Sequence, residues 1–245
     1  MPALLFTLWW LATDVWHLFL ANQLPSPRQV WSALLELSGE GDYTRHLGAS
    51  LRRVGIGFSL GASAALVIGF AVGLSHTIER LLDPTLQALR NVPSLAWVPF
   101  LLLWLGIDET PKITLIAIGS FFPVYLNLVT GVRQVDRKLI EVGHIFGLGK
   151  LALVWRIFLP AATPYALAGL RIGAGQAWLF LVAAELIAST RGLGFMLIDG
   201  QNNLRPDIML VGILTLALLG KATDGLLRLV ERRLLVWSDT FEAKA

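Results

Sequence analysis

The chain has 245 residues, of which 55% are hydrophobic and only 15% are charged, and its mean hydropathy is +0.66. This much apolar surface exceeds what one soluble core can bury and indicates a polytopic membrane protein. Cysteine is absent, which excludes disulfides, thiolate metal sites and cysteine nucleophiles. The net charge is +3, with basic residues spread along the loops, which fits membrane topology better than nucleic-acid binding. No stretch has the pattern of a removed signal peptide.

Six apolar stretches predict an all-α membrane protein with about six transmembrane helices, forming a single transmembrane domain over residues 1–245. The spans are expected at residues 3–21, 51–75, 86–105, 112–132, 163–188 and 208–229. The first span is marginal, because Asp14 lies inside it and a bilayer core needs roughly 20 apolar residues. An interfacial helix and a start site placed too late are the alternatives there. The apolar spacing over residues 28–37 predicts an amphipathic helix on the outer membrane surface.

The second and third spans contain residues that determine how membrane helices pack. In the second span, Gly57 and Gly61 are four residues apart, which lets another helix approach closely. The third span contains Pro93 and Pro99. Because each proline removes a backbone hydrogen bond, we expect a broken helix that faces a cavity or a neighbouring helix. A short loop is expected before it, at residues 76–84.

Polar residues within the spans are the candidates for a translocation path, and these are Asn91, Asn127, Gln176 and Glu185. The amides can donate hydrogen bonds to an anion or zwitterion, or they can join helices. Glu185 lies in the apolar run VAAELIA, where a carboxylate must face protein or water. It is expected to be either a buried hydrogen-bond acceptor between helices or part of a gate. Lys221 and Asp224 are expected to form an ion pair on the sixth span.

Six spans place both chain ends on one side of the membrane, and the basic residues indicate which side. The loops that begin at His76 and Arg133, together with the C-terminus and its Lys244, hold more of the 20 basic residues than the remaining loops do. Both termini are therefore expected in the cytoplasm. Arg52 and Arg53 then lie at the outer mouth of the second span, where they either anchor lipid headgroups or attract an anionic substrate.

A polar interruption between long apolar segments, residues 141–160 with the sequence EVGHIFGLGKLALVWRIFLP, predicts a short helix, a turn and a return to the membrane. Glu141 is expected to open the helix near the positive end of its dipole. Gly147, together with Gly149, is expected to end the turn. Pro160 and Pro164 indicate where a new helix begins.

The spacing of Glu141, Gly147, Ile157, Leu159 and Pro160 resembles the EAA loop of ATP-binding-cassette importer permeases, with Val142 and Gly143 where the family has two alanines. The likeness covers nearly the whole chain after Leu24. It is greatest to the permeases of aliphatic sulfonate, taurine and nitrate importers, and above all to the aliphatic sulfonate permease. The stretches that carry it are LPSPRQVW, LRNVPSLAWVPFLLLWLGIDETPKI, AGLRIGAGQAWLFLVAAELIAS, RGLGFMLIDG and LLGKATDGLLRLVERRLLVW.

This resemblance implies the ABC importer permease fold with a cytoplasmic coupling helix that docks in a cleft of an ATPase. The coupling residues would be Glu141, Val142, Gly143, His144, Ile145, Phe146, Gly147 and Leu148. It implies a homodimer of this subunit with two ATPase subunits and a periplasmic substrate-binding protein in a bacterial inner membrane. The chain itself would bind no cofactor, metal or nucleic acid and would have no catalytic residue, because the partner ATPase uses the ATP and magnesium.

Other functions remain open from the residues themselves. The loop at 141–160 can be an ordinary amphipathic connection, and the chain can be a channel or a secondary transporter, although no clear internal repeat supports the latter. A membrane enzyme has less support. The nearest phosphate-loop pattern ends at Gly149 and Lys150 but has Leu151 where Ser or Thr is needed, and no HExxH or GxSxG motif is present. Taurine, nitrate or another small solute are alternatives to an alkanesulfonate.

Overall fold

A computed structural model describes residues 2–20 and 22–236, and over these residues the chain is helical with no strand. Ala21, at the end of the first expected span, and Lys244 lie outside the described residues. The α-helices are α1 Pro2–Trp10, α2 Pro27–Gly39, α3 Asp42–Leu74, α4 His76–Asn91, α5 Val98–Leu105, α6 Glu109–Arg133, α7 Arg137–Ile145, α8 Lys150–Leu153, α9 Leu159–Ala188, α10 Leu193–Asn202 and α11 Pro206–Leu234.

The core of the fold consists of α3, α6 and α9, which pack along most of their length. Glycines make this contact possible, as the second span predicts. A Cβ atom at Gly57 would lie 2.7 Å from the Ile116 side chain, and one at Gly73 would lie 2.7 Å from Val132. These contacts show that α3 runs parallel to α6. A Cβ at Gly173 of α9 would lie 2.9 Å from Val124, so the close packing extends to the third helix.

Four helices are long and apolar enough to cross a membrane, and a fifth crossing exists if the bent pair His76–Asn91 and Ser94–Leu105 counts as one span. The four are α3, α6, α11 and the continuous helix Lys150–Ile187. About six transmembrane helices are expected from the sequence, and the described part of the chain contains four or five candidates.

The first expected span, at residues 3–21, is not among the helices in the described residues that are long enough to cross a membrane. The apolar helix here covers only Ala3–Val15, and its last turn, Leu11–Val15, is a π-helix. This is shorter than the roughly 20 residues that a bilayer core requires. Trp9 Nε1 donates a hydrogen bond to the Pro25 carbonyl at 3.0 Å, which holds α1 against the segment before α2. The expectation that both termini lie on the same side of the membrane depends on an even number of spans, and this first span is one of the six that were counted.

The third span is broken as predicted, but it begins earlier than expected. Residues 76–84, expected as a loop, form the first half of α4, which starts where the Ser75 side chain accepts a hydrogen bond from the Ile78 N–H. The helix ends before Pro93, and the chain turns by 90° into Ser94–Leu105. Pro84 is accommodated within α4, whereas Pro99 occupies the first turn of α5, where no N–H is needed.

The fifth span also differs from expectation, because Pro160 and Pro164 do not start a new helix. The helix begins at Lys150 and passes through a π-helical turn, Val154–Phe158, directly into α9. Since Pro160 has no N–H to bond with the carbonyl four residues before it, a locally wider turn accommodates it without breaking the helix. The result is a single helix of 38 residues, Lys150–Ile187.

Ion pairs lie at both ends of the helical core. At one end, Arg133 pairs with Glu79 of α4 at 2.7 Å. At the other end, Arg53 pairs with Glu109 at 2.6 Å. The predicted amphipathic helix is present as α2, whose N-cap Ser26 forms a reciprocal capping box with Gln29.

Candidate functional site: the α7 loop and the buried polar clusters

Helix α7 starts earlier in the polar loop than expected. Its N-cap is Asp136, whose side chain accepts a hydrogen bond from the Lys138 N–H at 2.9 Å. Glu141 therefore lies in the second turn of the helix and does not open it, which corrects the expectation that it sits at the positive end of the helix dipole. Glu141 is exposed, and within the described residues it makes no hydrogen bond or ion pair. Its carboxylate is free to contact a partner.

The C-terminus of α7 is fixed by Gly147, as expected. The Gly147 N–H donates to the His144 carbonyl at 2.9 Å, and the Leu148 N–H donates to the Gly143 carbonyl at 3.0 Å. This is the Schellman arrangement, which requires a left-handed residue at the position that Gly147 occupies with φ +71°. Gly149, by contrast, has an ordinary φ of −69° and precedes α8.

Gly143 is the point at which α7 rests on the helix that returns to the membrane. It is buried, and a Cβ atom in its place would lie 2.5 Å from Leu153 and 2.8 Å from Ile157. The family position that usually carries alanine therefore has no room for a methyl group here without a shift of these side chains. Gly143 therefore lets α7 pack directly against the Lys150–Ile187 helix.

Exposed apolar side chains lie along α7 and at its C-cap. Ile145 and Phe146 are 82% and 79% exposed, and Leu139 and Val142 are about half exposed. His144 is exposed beside them. Apolar side chains at the tip of a polar loop, outside any expected membrane span, indicate a contact surface for another protein.

Glu185 is the centre of a buried polar cluster at the other end of the core. Its carboxylate accepts hydrogen bonds from Ser50 Oγ at 2.8 Å, Arg53 Nη1 at 2.7 Å and the Gly194 N–H at 2.7 Å. Glu185 is 1% exposed. Because all these donors belong to the protein, the geometry favours the buried-acceptor alternative for Glu185. The acceptor ties α9 to α3 and to the first turn of α10.

Arg53 is a buried member of this cluster. It is 3% exposed, and besides Glu185 it donates to Glu109 through Nε and Nη2 and to the Arg191 carbonyl. Neither headgroup anchoring nor attraction of a substrate to the vestibule describes its role, whereas Arg52 beside it is exposed. The sequence places both arginines at a helix end but gives no sign that the partners of Arg53 lie on three other segments.

The first turn of α10 is capped entirely by side chains from α3 and α9. The Gly192 N–H donates to His46 Nδ1 at 2.9 Å, and the Leu193 N–H donates to Ser50 Oγ at 2.8 Å. Gly192 has φ +133°, and a Cβ there would collide with the Glu185 carboxyl group. Only glycine fits this position, which accounts for the RGLG sequence before α10.

The remaining polar candidates do not converge on one point. Asn127 lies where α6 meets α9 at Gly169, but its amide donates to the Pro123 carbonyl of its own helix at 2.8 Å. Gln176 is half-buried on α9, and Asn91 is exposed at the end of α4. Within the described residues, no group of His, Asp and Glu side chains could hold a metal ion.

A second polar cluster, missed from the sequence, joins α9 to α11. Arg171 bonds to Asp224 at 3.0 Å and to Glu231 at 3.1 Å. Asp224 also pairs with Arg228, so the expected pair between Lys221 and Asp224 is wrong. Arg171 was recognisable only as a basic residue inside the fifth span, because its partners are on a different helix.

Comparisons with known proteins agree with this architecture. Residues 57–236 match the family described as the inner membrane component of binding-protein-dependent transport systems. The chain is 41% identical over 242 residues to a protein of Bacillus subtilis (strain 168) named as an aliphatic sulfonates transport permease, SsuC. The alignment covers 99% of this chain and 87% of that protein. It is 38% identical over 240 residues to the taurine transport system permease protein TauC of Escherichia coli (strain K12), covering 96% and 87% of the two chains.

A solved structure shares the fold. A chain from the inward-facing MetNI methionine ABC transporter superposes with a TM-score of 0.62 at 16% sequence identity, covering 77% of this chain and 95% of that one. The relatives are transport permeases, so this chain is a transport subunit and not an enzyme. The chain belongs to the family of inner membrane components of binding-protein-dependent transport systems, and it is the permease subunit of an ATP-binding-cassette importer.

Proposed function

We propose that this permease imports alkanesulfonates and that α7 is the coupling helix through which a separate ATPase drives it. The substrate class is supported by the 41% identity, over nearly the whole chain, to a permease named for aliphatic sulfonates. The coupling role is supported by the exposed apolar edge of α7 at Ile145 and Phe146. Those side chains would fill an apolar cleft of the ATPase, and the unpaired Glu141 would face a polar group on its rim.

The assembly we propose contains two copies of this chain, two ATPase subunits and a periplasmic substrate-binding protein. The end of the core that carries Arg133 and α7 would face the cytoplasm, where the ATPase hydrolyses ATP with magnesium. The end that carries Arg53 and Arg191 would face the binding protein. The C-terminal end of α11 would then also be cytoplasmic, in agreement with the basic Arg232 and Arg233 in its last turn.

Transmission from the ATPase would follow one continuous helix. Gly143 of α7 rests on Leu153 and Ile157, which belong to the helix Lys150–Ile187. A helix of 38 residues is about 57 Å long. Its far end carries Glu185, which is bonded to Arg53 and to α10. A tilt of α7 would therefore reach the outer end of the core through a single rigid element.

The translocation path we propose lies along α6 and α9 and includes Asn127 and Gln176, whose amides can donate to an anionic headgroup. Glu185 would not line this path but would hold the helices in place at its outer end, as a fixed hydrogen-bond acceptor. Direct contact of Glu185 with an anion is disfavoured, because two like charges repel in a low dielectric. ATP and the loaded binding protein would together favour the outward-open form, since a ligand shifts an equilibrium only through its differential affinity.

The experiment is co-purification of the tagged chain with the products of its neighbouring genes, followed by ATPase measurement in lipid. We expect an ATPase to co-purify, and its activity to rise when a periplasmic binding protein loaded with an alkanesulfonate is added. If only taurine, nitrate or another solute stimulates the activity, the substrate class is wrong and the coupling role stands. If the chain purifies alone and still moves solute, the coupling role of α7 is wrong.

A further inference from the structure

Arg90 is a cation at membrane depth without a partner in the described part of the chain. It lies in the last turn of α4, one residue before the break at Asn91, and it is exposed. Two other arginines in the membrane-crossing helices have acidic partners, since Arg53 bonds to Glu109 and Glu185, and Arg171 bonds to Asp224 and Glu231. An intramembrane cation that lacks such a partner must face water or a ligand.

Contacts of α4 place Arg90 near the middle of the membrane-crossing core. Asp83 accepts a hydrogen bond from the buried Tyr125 at 2.9 Å, so the centre of α4 lies beside the inner half of α6. One and two turns further along, Leu86 and Leu89 line an apolar cavity of about 440 Å³ with Ala117 and Phe121, at the middle of α6. Arg90 follows Leu89 directly and therefore lies at the same depth.

The side of α4 that carries Arg90 is polar along its whole length. At 100° per residue, Arg80, Asp83, Gln87, Arg90 and Asn91 all fall within about 100° of the helix circumference. Gln87 donates to Asp83 at 2.6 Å, so two members of this polar stripe are hydrogen-bonded to each other. The opposite side carries Leu82 and Leu89, the latter against the apolar cavity. A polar stripe that rises from the inner end of the core to its middle is suited to a water-filled passage.

The helix break next to Arg90 supports the same conclusion. Between Asn91 and Ser94 the backbone leaves the helix and turns by 90°, so N–H and C=O groups here lie outside the regular hydrogen-bond pattern of a helix. Backbone of this kind is tolerated at membrane depth only where it is covered by protein or lines a water-filled cavity. Binding sites of transporters are commonly formed at such discontinuous helices near the midplane.

We propose that Arg90, with the Asn91 amide beside it, binds the sulfonate headgroup of the substrate during its passage across the membrane. The guanidinium presents a planar fork of N–H donors that matches an oxyanion, and Asn91 adds a neutral donor. The inference rests on the proposed import of alkanesulfonates. It adds a charged contact for the headgroup at the depth where the anion loses most of its hydration.

Transport by the reconstituted complex tests this role. The complex is loaded with the binding protein and an alkanesulfonate, and Arg90→Ala is compared with Arg90→Lys. We expect uptake to fall roughly tenfold to hundredfold in R90A, the effect of one charge-assisted hydrogen-bonded contact, and to recover in part in R90K. The matched control is Arg28→Ala, which removes an exposed arginine of α2 outside this stripe and should retain uptake. Wild-type uptake in R90A would overturn the inference.

A labelling experiment applies even if R90A fails to assemble, because the natural chain has no cysteine. Asn91→Cys leaves Arg90 in place and offers the only thiol of this subunit to a water-soluble methanethiosulfonate that itself carries a sulfonate group. We expect rapid labelling that an added alkanesulfonate slows. Leu103→Cys, at a 78% exposed apolar position of α5, should react slowly. Labelling of N91C no faster than that of L103C would overturn the inference.

These outcomes are distinguishable from failure of the proposed function. If the wild-type complex does not transport an alkanesulfonate at all, the substrate class fails whatever the variants do. If the wild-type complex transports it and R90A does so equally well, the substrate class stands and the role of Arg90 fails.

Discussion

Arg53 of α3 and Glu185 of α9 form an ion pair of 2.7 Å, with side-chain exposures of 4% and 0%. Arg53 also donates to Glu109, and Glu185 accepts from Ser50 and from the Gly194 N–H, so each charge is hydrogen-bonded as well as paired. Removing two charges from water is costly, and their attraction compensates only when the remaining donors and acceptors are satisfied. This cluster meets that condition and joins α3, α6, α9 and α10 at the end of the core opposite α7.

Replacing one member of this pair should therefore destabilise the protein strongly. We expect Glu185→Gln to lower the free energy of unfolding by about 3–5 kcal/mol, because it leaves the Arg53 charge buried with half of its partners. Glu109→Gln is the matched control, since its side chain is 41% exposed and water can replace part of what is lost. The measurement is thermal unfolding of the purified protein in detergent. Equal shifts in the two variants would contradict the buried character of the pair.

Gly147 should be required for the geometry of α7, the proposed coupling helix. Its φ of +71° is a conformation that L-residues adopt at a cost of roughly 1 kcal/mol. We expect Gly147→Ala to disorder the end of α7 and to reduce the stimulation of ATPase activity by the loaded binding protein, while the chain still inserts. Gly149→Ala is the control, because Gly149 has an ordinary φ and open space around its Cα. Normal stimulation in G147A, or equal loss in both variants, would argue against this role.

Close packing of α6 against α9 leads to a further pair of variants. A Cβ at Gly119 would overlap the ring of Phe180, whereas a Cβ at Gly55 of α3 meets nothing within 4 Å. We expect Gly119→Ala to destabilise the protein by about 1–3 kcal/mol through overpacking. Gly55→Ala should be neutral or stabilising by up to about 1 kcal/mol, since glycine is a poor helix former. Apparent melting temperatures of the two variants decide the matter, and a stable G119A would mean that α6 and α9 are less tightly packed than described.

Local features of the fold were accessible from the sequence because they depend on neighbouring residues. The apolar stretches gave the long helices, Pro93 gave the break after α4, and Gly147 gave the end of α7. The boundaries were less accurate. The helix at Lys150 was missed because two prolines normally end a helix, and here a π-helical turn accommodates Pro160.

Long-range partners could not be predicted, since spacing along the chain carries no information about them. Arg53 and Glu185 are 132 residues apart, and nothing near either one indicates the other. Asp224 was assigned to its near neighbour Lys221, but it pairs with Arg171, 53 residues away. A polar residue in a membrane helix indicates that it has a partner, but only the packing of the helices shows which residue that partner is.

The attachment of α2 to α11 should weaken in acid, and this prediction rests on Glu36. Its carboxylate accepts two hydrogen bonds from the Arg205 guanidinium, at 2.7 and 2.8 Å, and these contacts lower the pKa of Glu36 below its ordinary value of 4.5. A carboxyl group whose pKa is lower in the folded state contributes stability that is complete above its unfolded pKa. That contribution disappears as the pH falls through the folded value.

We therefore expect wild-type protein to be more stable than Glu36→Gln at neutral pH, and the difference in melting temperature to shrink as the pH falls below the ordinary pKa of glutamate. The effect should be small, because the pair is exposed to solvent and screened by salt. Glu40→Gln is the control, since Glu40 lies just after the end of α2 and has no ion pair in the described part of the chain. Its substitution should change the melting temperature at neutral pH less than Glu36→Gln does. A difference for E36Q that stays constant or grows in acid would show that Arg205 does not hold Glu36 in its ionised form.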